Sequence, residues 1–257
     1  MIQYCTLASS SAGNCAFLTD GETKILIDLG VSTRTAAREL AEIGIQPDEI
    51  DAILITHAHG DHVRGLATWH KKYPKTRLLA PSGVEEYLEV ETETIPTTCS
   101  FSVGTLCITA IPTPHDTDVS VGYRITSGEH ALLSVTDLGH VPECLYPYLD
   151  GVDLLLIEAN YDPDRLRYGC YPEPLKRRIA SGHGHLSNPD CAACVLQAVE
   201  SGTKTVLLGH LSKENNTPRL AYETVHSVLT QNGVIPGVDM MLSVAPRSGH
   251  SEWYTVE

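Results

Sequence analysis

The chain has 257 residues, 42% of them hydrophobic, and a net charge of −14 from 18 basic and 32 acidic side chains. This length suits one α/β domain, and the acidic balance argues against a general nucleic-acid coat protein without excluding a local basic site. No apolar run approaches the ~20 residues that span a bilayer, and the start MIQYCTLASS lacks a basic region, so we expect a soluble, cytoplasmic protein with no membrane partner.

The first predicted elements are two strands, IQYCTLA and CAFLTD, joined by the polar turn SSSAGN. A third strand, KILIDLG, contains Asp28 near its end, and a helix follows in TRTAARELAEIG, where Ser32 or Thr33 can cap the first turn. The continuous apolar run AILIT (52–56) is typical of a buried strand, and VRGLATWHKKY predicts the next helix.

Strands and helices continue to alternate through the rest of the chain. Further strands are predicted in RLLAP, TLCITAIPT, VGYRIT, ALLSVTD, DLLLIEAN and TVLLGH, and helices at 174–180, 189–200 and 217–231. This alternation indicates an α/β fold. No repeat or Pro/Gly linker divides the chain, so we expect one domain over residues 1–257.

The motif THAHGDH (56–62) lies where the AILIT strand ends. Side chains at i and i+2 of an extended segment point the same way, so His57 and His59 can face one point. Asp61 and His62 follow a turn eased by Gly60 and can face a second point. Imidazole and carboxylate suit zinc, manganese or iron, and paired ions commonly hydrolyse phosphoryl or acyl groups. The motif therefore predicts two divalent metal ions, the alternative being a polar turn with incidental histidines.

Further donors occur at other predicted strand ends: His115 in PTPHDT, Asp137 in SVTDLG and His210 in LLGHLS. With Asp28, the series Asp, HxHxDH, His, Asp, His resembles that of the metallo-β-lactamase superfamily and spans nearly the whole chain. The resemblance implies a four-layer αββα sandwich, whereas periodicity alone supports only an α/β fold.

The resemblance also implies a role for each residue of this series. One metal ion would be held by His57, His59 and His115, and the second by Asp61, His62 and His210. Asp137 would bridge both ions, and Asp28 would orient the HxHxDH loop by accepting a hydrogen bond.

The stretch between Asp137 and His210 narrows the expected reaction. LIEANYD (156–162) and SGHGHLSN (181–188) resemble ribonuclease Z and related phosphodiesterases, in which an acid and a histidine form a catalytic pair. That resemblance implies Glu158 as the acid and His185 as the histidine, which would stabilise phosphoryl oxygens or protonate the departing alkoxide. The structural alternatives are a buried salt-bridge partner for Glu158 and a loop residue for His185.

Two groups of residues are candidates for substrate binding. A basic cluster before His185 contains Arg165, Arg167, Lys176, Arg177 and Arg178, and it predicts a clamp on a phosphate backbone, with a solvated helix face as the alternative. Ser11 and Asn14, in the SSSAGN turn, are candidate phosphate contacts, although an ordinary hairpin turn needs no such role.

Three longer stretches identify a branch of the superfamily. LASSSAGNC, the ANYD to GHLSN region and LGHLSKENN resemble the YycJ/WalJ-like branch, for which a DNA exonuclease-type activity is implied. We therefore expect a dinuclear metal-dependent phosphodiesterase acting on nucleic acid, specifically DNA, with a metal-bridging hydroxide as nucleophile that Asp61 orients. Only 73 positions separate Asp137 from His210, which leaves no room for the inserted β-CASP domain of some nuclease relatives, and the long arm of ribonuclease Z is missing.

Two other functions remain open because one fold hosts many chemistries. A glyoxalase II-like or lactonase-like hydrolase of small thioesters or esters would use the same metal ligands but would not need Glu158 and His185. A non-catalytic regulator would keep the site for stability or ligand sensing. The sequence leaves open the native metal, the polarity of cleavage, the choice between DNA and RNA, and the oligomeric state.

Overall fold

Fourteen strands and seven α-helices form the regular structure of the computed structural model, which describes residues Met1–Glu257. The strands are β1 (Ile2–Ser10), β2 (Gly13–Thr19), β3 (Lys24–Ile27), β4 (Ala52–Leu54), β5 (Arg77–Pro81), β6 (Glu93–Ile95), β7 (Ser100–Val103), β8 (Leu106–Pro112), β9 (Val121–Ser127), β10 (His130–Val135), β11 (Leu154–Glu158), β12 (Thr205–Gly209), β13 (Met241–Val244) and β14 (Tyr254–Val256). The helices are α1 (Thr33–Glu42), α2 (Gly60–Val63), α3 (Leu66–Lys72), α4 (Pro163–Tyr168), α5 (Glu173–Ile179), α6 (Asn188–Glu200) and α7 (Pro218–Gln231).

The chain divides into two compact units. Unit 1 comprises Met1–Pro112, Thr117–His130 and Pro246–Glu257; unit 2 comprises Thr113–Asp116 and Ala131–Ala245. The expectation of a single domain over residues 1–257 stays a prediction.

Unit 1 contains a seven-stranded sheet in the order β14-β1-β2-β3-β4-β5-β6. β1, β2, β3 and β14 pair antiparallel, whereas β3, β4, β5 and β6 run parallel. The carboxyl ends of β3 and β4 therefore meet at one edge of the sheet, which brings Asp28 and the THAHGDH motif to the same place.

The apolar core of unit 1 explains why its helices form where they do. Ala36 and Leu40 recur at helical spacing on α1 and are buried with Trp69 of α3 and Phe17 of β2. The side chain of Ser32 caps α1 by accepting a hydrogen bond from Thr35 N, as the sequence predicts. β7, β8 and β9 form an antiparallel ribbon in the same unit.

Unit 2 contains the parallel strands β10, β11, β12 and β13. β11 reads LLLIE and is buried along its whole length, as expected for a parallel strand covered on both faces. Because these strands are parallel, Asp137, Glu158 and His210 all come at or after carboxyl ends at one edge. α7 begins with Pro218 directly after its capping residue Thr217, and α6 has Pro189 as its second residue after the cap of Ser187.

Most predicted elements are confirmed within one or two residues, and two kinds of error remain. VRGLATWHKKY forms two helices, α2 and α3, because α2 already begins at Gly60 inside the motif. Four short strands, β6, β7, β13 and β14, and the six-residue helix α4 were not predicted. No helix combines the length and the apolar character needed to cross a membrane.

Candidate functional site

Asp28 holds the histidine motif of unit 1 in place. It follows β3 with φ of 59°, a left-handed conformation that is uncommon for a residue other than glycine. Its Oδ1 accepts a hydrogen bond from Thr56 N (2.8 Å), and its Oδ2 lies 2.7 Å from His62 Nδ1. Because the carboxylate accepts from Nδ1–H, the lone pair of His62 lies on Nε2, as metal ligation by that atom requires.

The imidazoles of the motif are close together in unit 1. The ring centroid of His57 lies 4.1 Å from that of His62 and 4.7 Å from that of His59. His59 immediately precedes α2, so Asp61 and His62 lie in its first turn, with Asp61 Oδ2 3.6 Å from His62 Nε2. His57 and His62 are buried, whereas Asp61 is partly exposed. The pattern at the end of β4 therefore gathers three imidazoles and one carboxylate.

Close backbone packing fixes this motif against the loop after β3. A Cβ atom on Gly30 would lie 1.6 Å from the carbonyl oxygen of Asp61, and one on Gly65 would lie 2.4 Å from that of Val31. By contrast, Gly60 has space for a Cβ and has no positive φ. The expectation that Gly60 eases a turn is therefore wrong: the chain makes an ordinary helical turn there, and Gly30 and Gly65 are the sterically required glycines.

Asn14 contacts the motif directly. Its Oδ1 accepts from Ser10 N (3.1 Å), while its Nδ2 lies 3.0 Å from His62 Nε2 and 3.4 Å from the carbonyl oxygen of Asp61. Asn14 is buried, and Ser11 is exposed at the tip of the hairpin. Phosphate binding by these two residues stays a prediction, and the contacts of Asn14 within unit 1 give it a structural role in addition.

The donors of unit 2 also converge. Asp137 Oδ1 lies 3.5 Å from His115 Nε2 and 3.3 Å from His210 Nδ1. His115 Nδ1 lies 2.9 Å from the carbonyl oxygen of Gly184. Asp137 and His210 both have positive φ, 59° and 54°, and such backbone strain in residues other than glycine concentrates at functional sites.

Glu158 is fully buried and serves two imidazoles. Its Oε1 lies 2.8 Å from His185 Nδ1 and 2.9 Å from His210 Nδ1, while its Oε2 accepts from Leu138 N and Leu186 N. The sequence predicts the contact with His185 but not the one with His210, which lies 52 positions away. The ligand atoms of Asp137, Glu158, His185 and His210 all lie within 4.8 Å of one another.

These contacts shift the pKa values of Glu158 and His185 in opposite directions. Burial opposes ionisation of Glu158, but attraction to His185 and hydrogen bonds from His185 and His210 outweigh it and lower the pKa of Glu158 to about 2. Burial likewise disfavours the charged form of His185, yet attraction to Glu158 outweighs it and raises the pKa of His185. The carboxylate thus favours the protonated form of an imidazole that is 22% exposed at the edge of the strands.

A buried amide network positions the loops of unit 2 and was not predicted. Asn160 Nδ2 donates to the carbonyl oxygen of His210 (2.8 Å), which supports the strained backbone there. The side chains of Asn188 and Asn216 exchange two hydrogen bonds, of 3.1 and 2.8 Å, linking the starts of α6 and α7. The asparagines in IEAN, HLSN and KENN were a possible sequence signal, because a buried asparagine needs several partners.

The basic cluster predicted before His185 lies on α4 and α5. Arg178 forms an ion pair with Asp116, the residue after His115. Lys176 Nζ donates to the carbonyl oxygen of Arg167 (2.8 Å), and Arg165 donates to that of Glu214 (3.3 Å). Arg177 is exposed. Binding of phosphate by this cluster stays a prediction.

The donors of each unit suit divalent metal ions. Unit 1 provides imidazoles whose Nδ1 atoms are hydrogen-bonded, as at His62, and unit 2 provides a buried carboxylate beside two histidines. Imidazole together with carboxylate is the donor set of zinc, manganese and iron sites, and partners that orient the ligating histidines normally accompany it. The residues present in each unit therefore fit the metal ligation that the motif series implies.

Comparisons with known proteins agree with this arrangement. The family model described as beta-lactamase superfamily domain matches residues 23–211. The exodeoxyribonuclease WalJ of Streptococcus pneumoniae serotype 2 is 34% identical, with 92% of this chain and 91% of that protein covered. The exodeoxyribonuclease YycJ of Bacillus anthracis is 30% identical, with 90% of each covered.

A solved structure shows the same fold. The metallo-β-lactamase fold protein YhfI from Bacillus subtilis matches with a TM-score of 0.75 over 98% of this chain and all of its own, at 16% identity. Its fold is the αββα class that the sequence resemblance implies. From the family model, the relatives and the fold together, this chain belongs to the metallo-β-lactamase superfamily, in the branch of WalJ and YycJ.

Proposed function

We propose that this protein is a metal-dependent phosphodiesterase that degrades DNA as an exonuclease. The single observation that carries the proposal is the hydrogen bond between Glu158 and His185, because hydrolases of small thioesters or lactones need the metal ligands but not this pair. The activity named for WalJ and YycJ supports DNA as the substrate.

Two divalent ions, zinc or manganese with iron as a further option, would be the cofactors. His57, His59 and His115 would hold one, Asp61, His62 and His210 the other, and Asp137 would bridge them, as family membership implies. Such ions supply Lewis acidity, which activates water and neutralises charge on phosphoryl oxygens. The orientation of His62 by Asp28 and of His210 by Glu158 supports these assignments.

The chain's own residues would perform the remaining steps. Asp61 would accept a hydrogen bond from the attacking water and orient it. His185, whose protonated form Glu158 favours, would donate a hydrogen bond to a phosphoryl oxygen and then a proton to the departing alkoxide. Glu158 would act as a positioning residue, since its Oε1 contacts His185 Nδ1 and leaves Nε2 to face the substrate.

Ser11, Asn14 and the basic cluster of α4 and α5 would bind phosphates of the strand outside the scissile bond. We infer a cytoplasmic location, and the eight cysteines, which are free thiols, suit such a reducing compartment.

A panel of small substrates tests the reaction class. We expect manganese- or zinc-loaded protein to hydrolyse bis-p-nitrophenyl phosphate and to leave thioesters and lactones intact. The opposite pattern, turnover of a thioester or lactone with the phosphodiester untouched, would replace the proposal with a glyoxalase II-like or lactonase-like function.

A further inference from the structure

Tyr168, the last residue of α4, is the most exposed aromatic side chain of the protein, with 74% of its surface accessible. The guanidinium carbon of Arg167 lies 5.3 Å from the centre of its ring, within the range of a cation–π interaction. A guanidinium can cover only one face of a ring at that distance. The other face therefore stays available to a planar group of a ligand.

The sequence segment that contains Tyr168 is basic. The segment from Asp162 to Ile179 has five basic and three acidic side chains, in a chain whose net charge is −14. Two of the three acids are engaged: Asp162 caps α4, and Glu173 pairs with Lys176. This combination of cationic groups and an exposed ring is the composition of surfaces that bind single-stranded nucleic acid.

Hydrogen bonds connect this surface to the loop of the catalytic pair. Lys176 Nζ donates to the carbonyl oxygen of Arg167, which fixes the end of α4 against α5. At the other end of α5, the carbonyl oxygen of Ile179 accepts from His185 N at 2.9 Å. Tyr168 is therefore connected to the loop of His185 through α5.

We propose that Tyr168, supported by Arg167, is a stacking platform for an unpaired base of the DNA substrate. The inference rests on the proposed function and deepens it. In a duplex both faces of each base are already stacked on neighbours, so only an unpaired base can lie against the tyrosine ring.

The test measures binding of fluorescein-labelled, phosphorothioate-linked DNA, which resists cleavage, to the metal-loaded protein by fluorescence anisotropy. We expect Tyr168→Ala to weaken single-strand binding by about 5- to 150-fold, the range for loss of one base-stacking contact. Tyr168→Phe, which keeps the ring, should retain wild-type affinity. Duplex affinity should change less than about twofold in both variants, since stacked bases do not use the ring.

The matched control is Tyr87→Ala. Tyr87 is also exposed, at 56%, but it lies in the acidic segment EEYLEVETE and should contribute nothing to binding. Equal single-strand affinity for wild type and Tyr168→Ala, or equal losses in the two alanine variants, would overturn the inference.

The failure of this inference can be told apart from failure of the proposed function. If wild-type protein cleaves bis-p-nitrophenyl phosphate and DNA while Tyr168→Ala binds single strands normally, only the platform is refuted. If wild-type protein neither binds DNA nor cleaves any phosphodiester, both are refuted. Melting curves of the variants confirm folding, and an exposed side chain such as Tyr168 can be removed without creating a cavity.

Discussion

The carboxylate of Glu158 orients two imidazoles, those of His185 and His210. One oxygen accepts from both His185 and His210, and the other accepts from two backbone amides, so every lone pair has a donor. Since the pKa of Glu158 is lowered to about 2, the group is ionised at neutral pH and can stabilise a cationic His185. Glu158, which the sequence resemblance pairs only with His185, therefore also orients His210, a proposed metal ligand.

His185→Ala tests the catalytic role of the pair. Removal of a general acid typically lowers the rate by about 10²- to 10⁴-fold, and we expect a loss in this range in kcat for phosphodiester cleavage. The control is His183→Ala, an exposed histidine two positions away, which should keep the wild-type rate. Equal rates in wild type and His185→Ala would remove His185 from the mechanism.

A second ion-pair cluster stabilises unit 1. Glu39 of α1 is buried, its Oε1 bonds to Arg38, and its Oε2 accepts from His250 N at 3.0 Å. Burial raises the pKa of Glu39, but the hydrogen bonds from Arg38 and His250 outweigh it and bring that pKa below 4.5. A lowered carboxyl pKa gives stability that is present above the ordinary value and is lost as pH falls through the lowered one.

Glu39→Gln should therefore lower the free energy of unfolding by about 1–3 kcal/mol near neutral pH. The difference from wild type should shrink as the pH falls from the ordinary carboxyl pKa of about 4.3 through the lowered pKa of Glu39, because the wild-type carboxyl is then protonated as well. Urea unfolding at a series of pH values measures this, with Glu42→Gln on the exposed side of α1 as a control that changes little. A difference that stays constant with pH would show that the charge of Glu39 is irrelevant.

Among the secondary-structure elements, α2 and the loop that follows β3 are in close contact, and this contact fixes the THAHGDH motif. Leu29 N donates to the carbonyl oxygen of His62 and Gly65 N to that of Leu29, both at 2.8 Å. Gly30 has no room for a side chain between these segments. The position of Asp61 and His62 thus depends on backbone packing as much as on their own side chains.

Gly30→Ala should destabilise the fold by about 1–3 kcal/mol or more, because its methyl group would overlap the carbonyl oxygen of Asp61. Activity should fall further than stability predicts, since Asp61 and His62 must move. Gly60→Ala is the control within the same motif and should retain both properties. Measuring urea unfolding and phosphodiesterase rates of both variants decides this, and a stable, fully active Gly30→Ala protein would contradict the packing account.

The strands and helices that could be predicted are those with a continuous signal in the sequence. The buried strands β4, β11 and β12 are continuous apolar runs that end in a motif, so both the strands and the site at their ends were predictable. Short elements such as β6 and α4 are below the length at which periodicity can be recognised. Contacts such as Glu158 with His210 or Asn14 with His62 depend on how distant segments pack, and spacing along the chain does not contain that information.

For the whole molecule, metal binding should appear as added stability. A ligand at about 100 times its Kd stabilises the folded state by about 2.7 kcal/mol, which corresponds to an increase of about 5–10 °C in Tm for a chain of this size. We expect zinc or manganese to raise the Tm of the chelator-treated protein and to do so less in Asp137→Asn. His226→Ala, a histidine of α7 outside the motif series, should respond like wild type. A metal-independent Tm would contradict the proposed centre.

The most direct test of the proposed function is digestion of end-labelled DNA with manganese- or zinc-supplemented protein, alongside Asp61→Ala prepared in the same way to exclude a contaminating nuclease. Single-stranded, duplex and RNA substrates of one sequence are compared. We predict that wild-type protein alone shortens DNA progressively from one end and that Asp61→Ala leaves it intact. No cleavage with either metal, or equal cleavage by wild type and Asp61→Ala, would contradict the assignment of this protein as a metal-dependent nuclease.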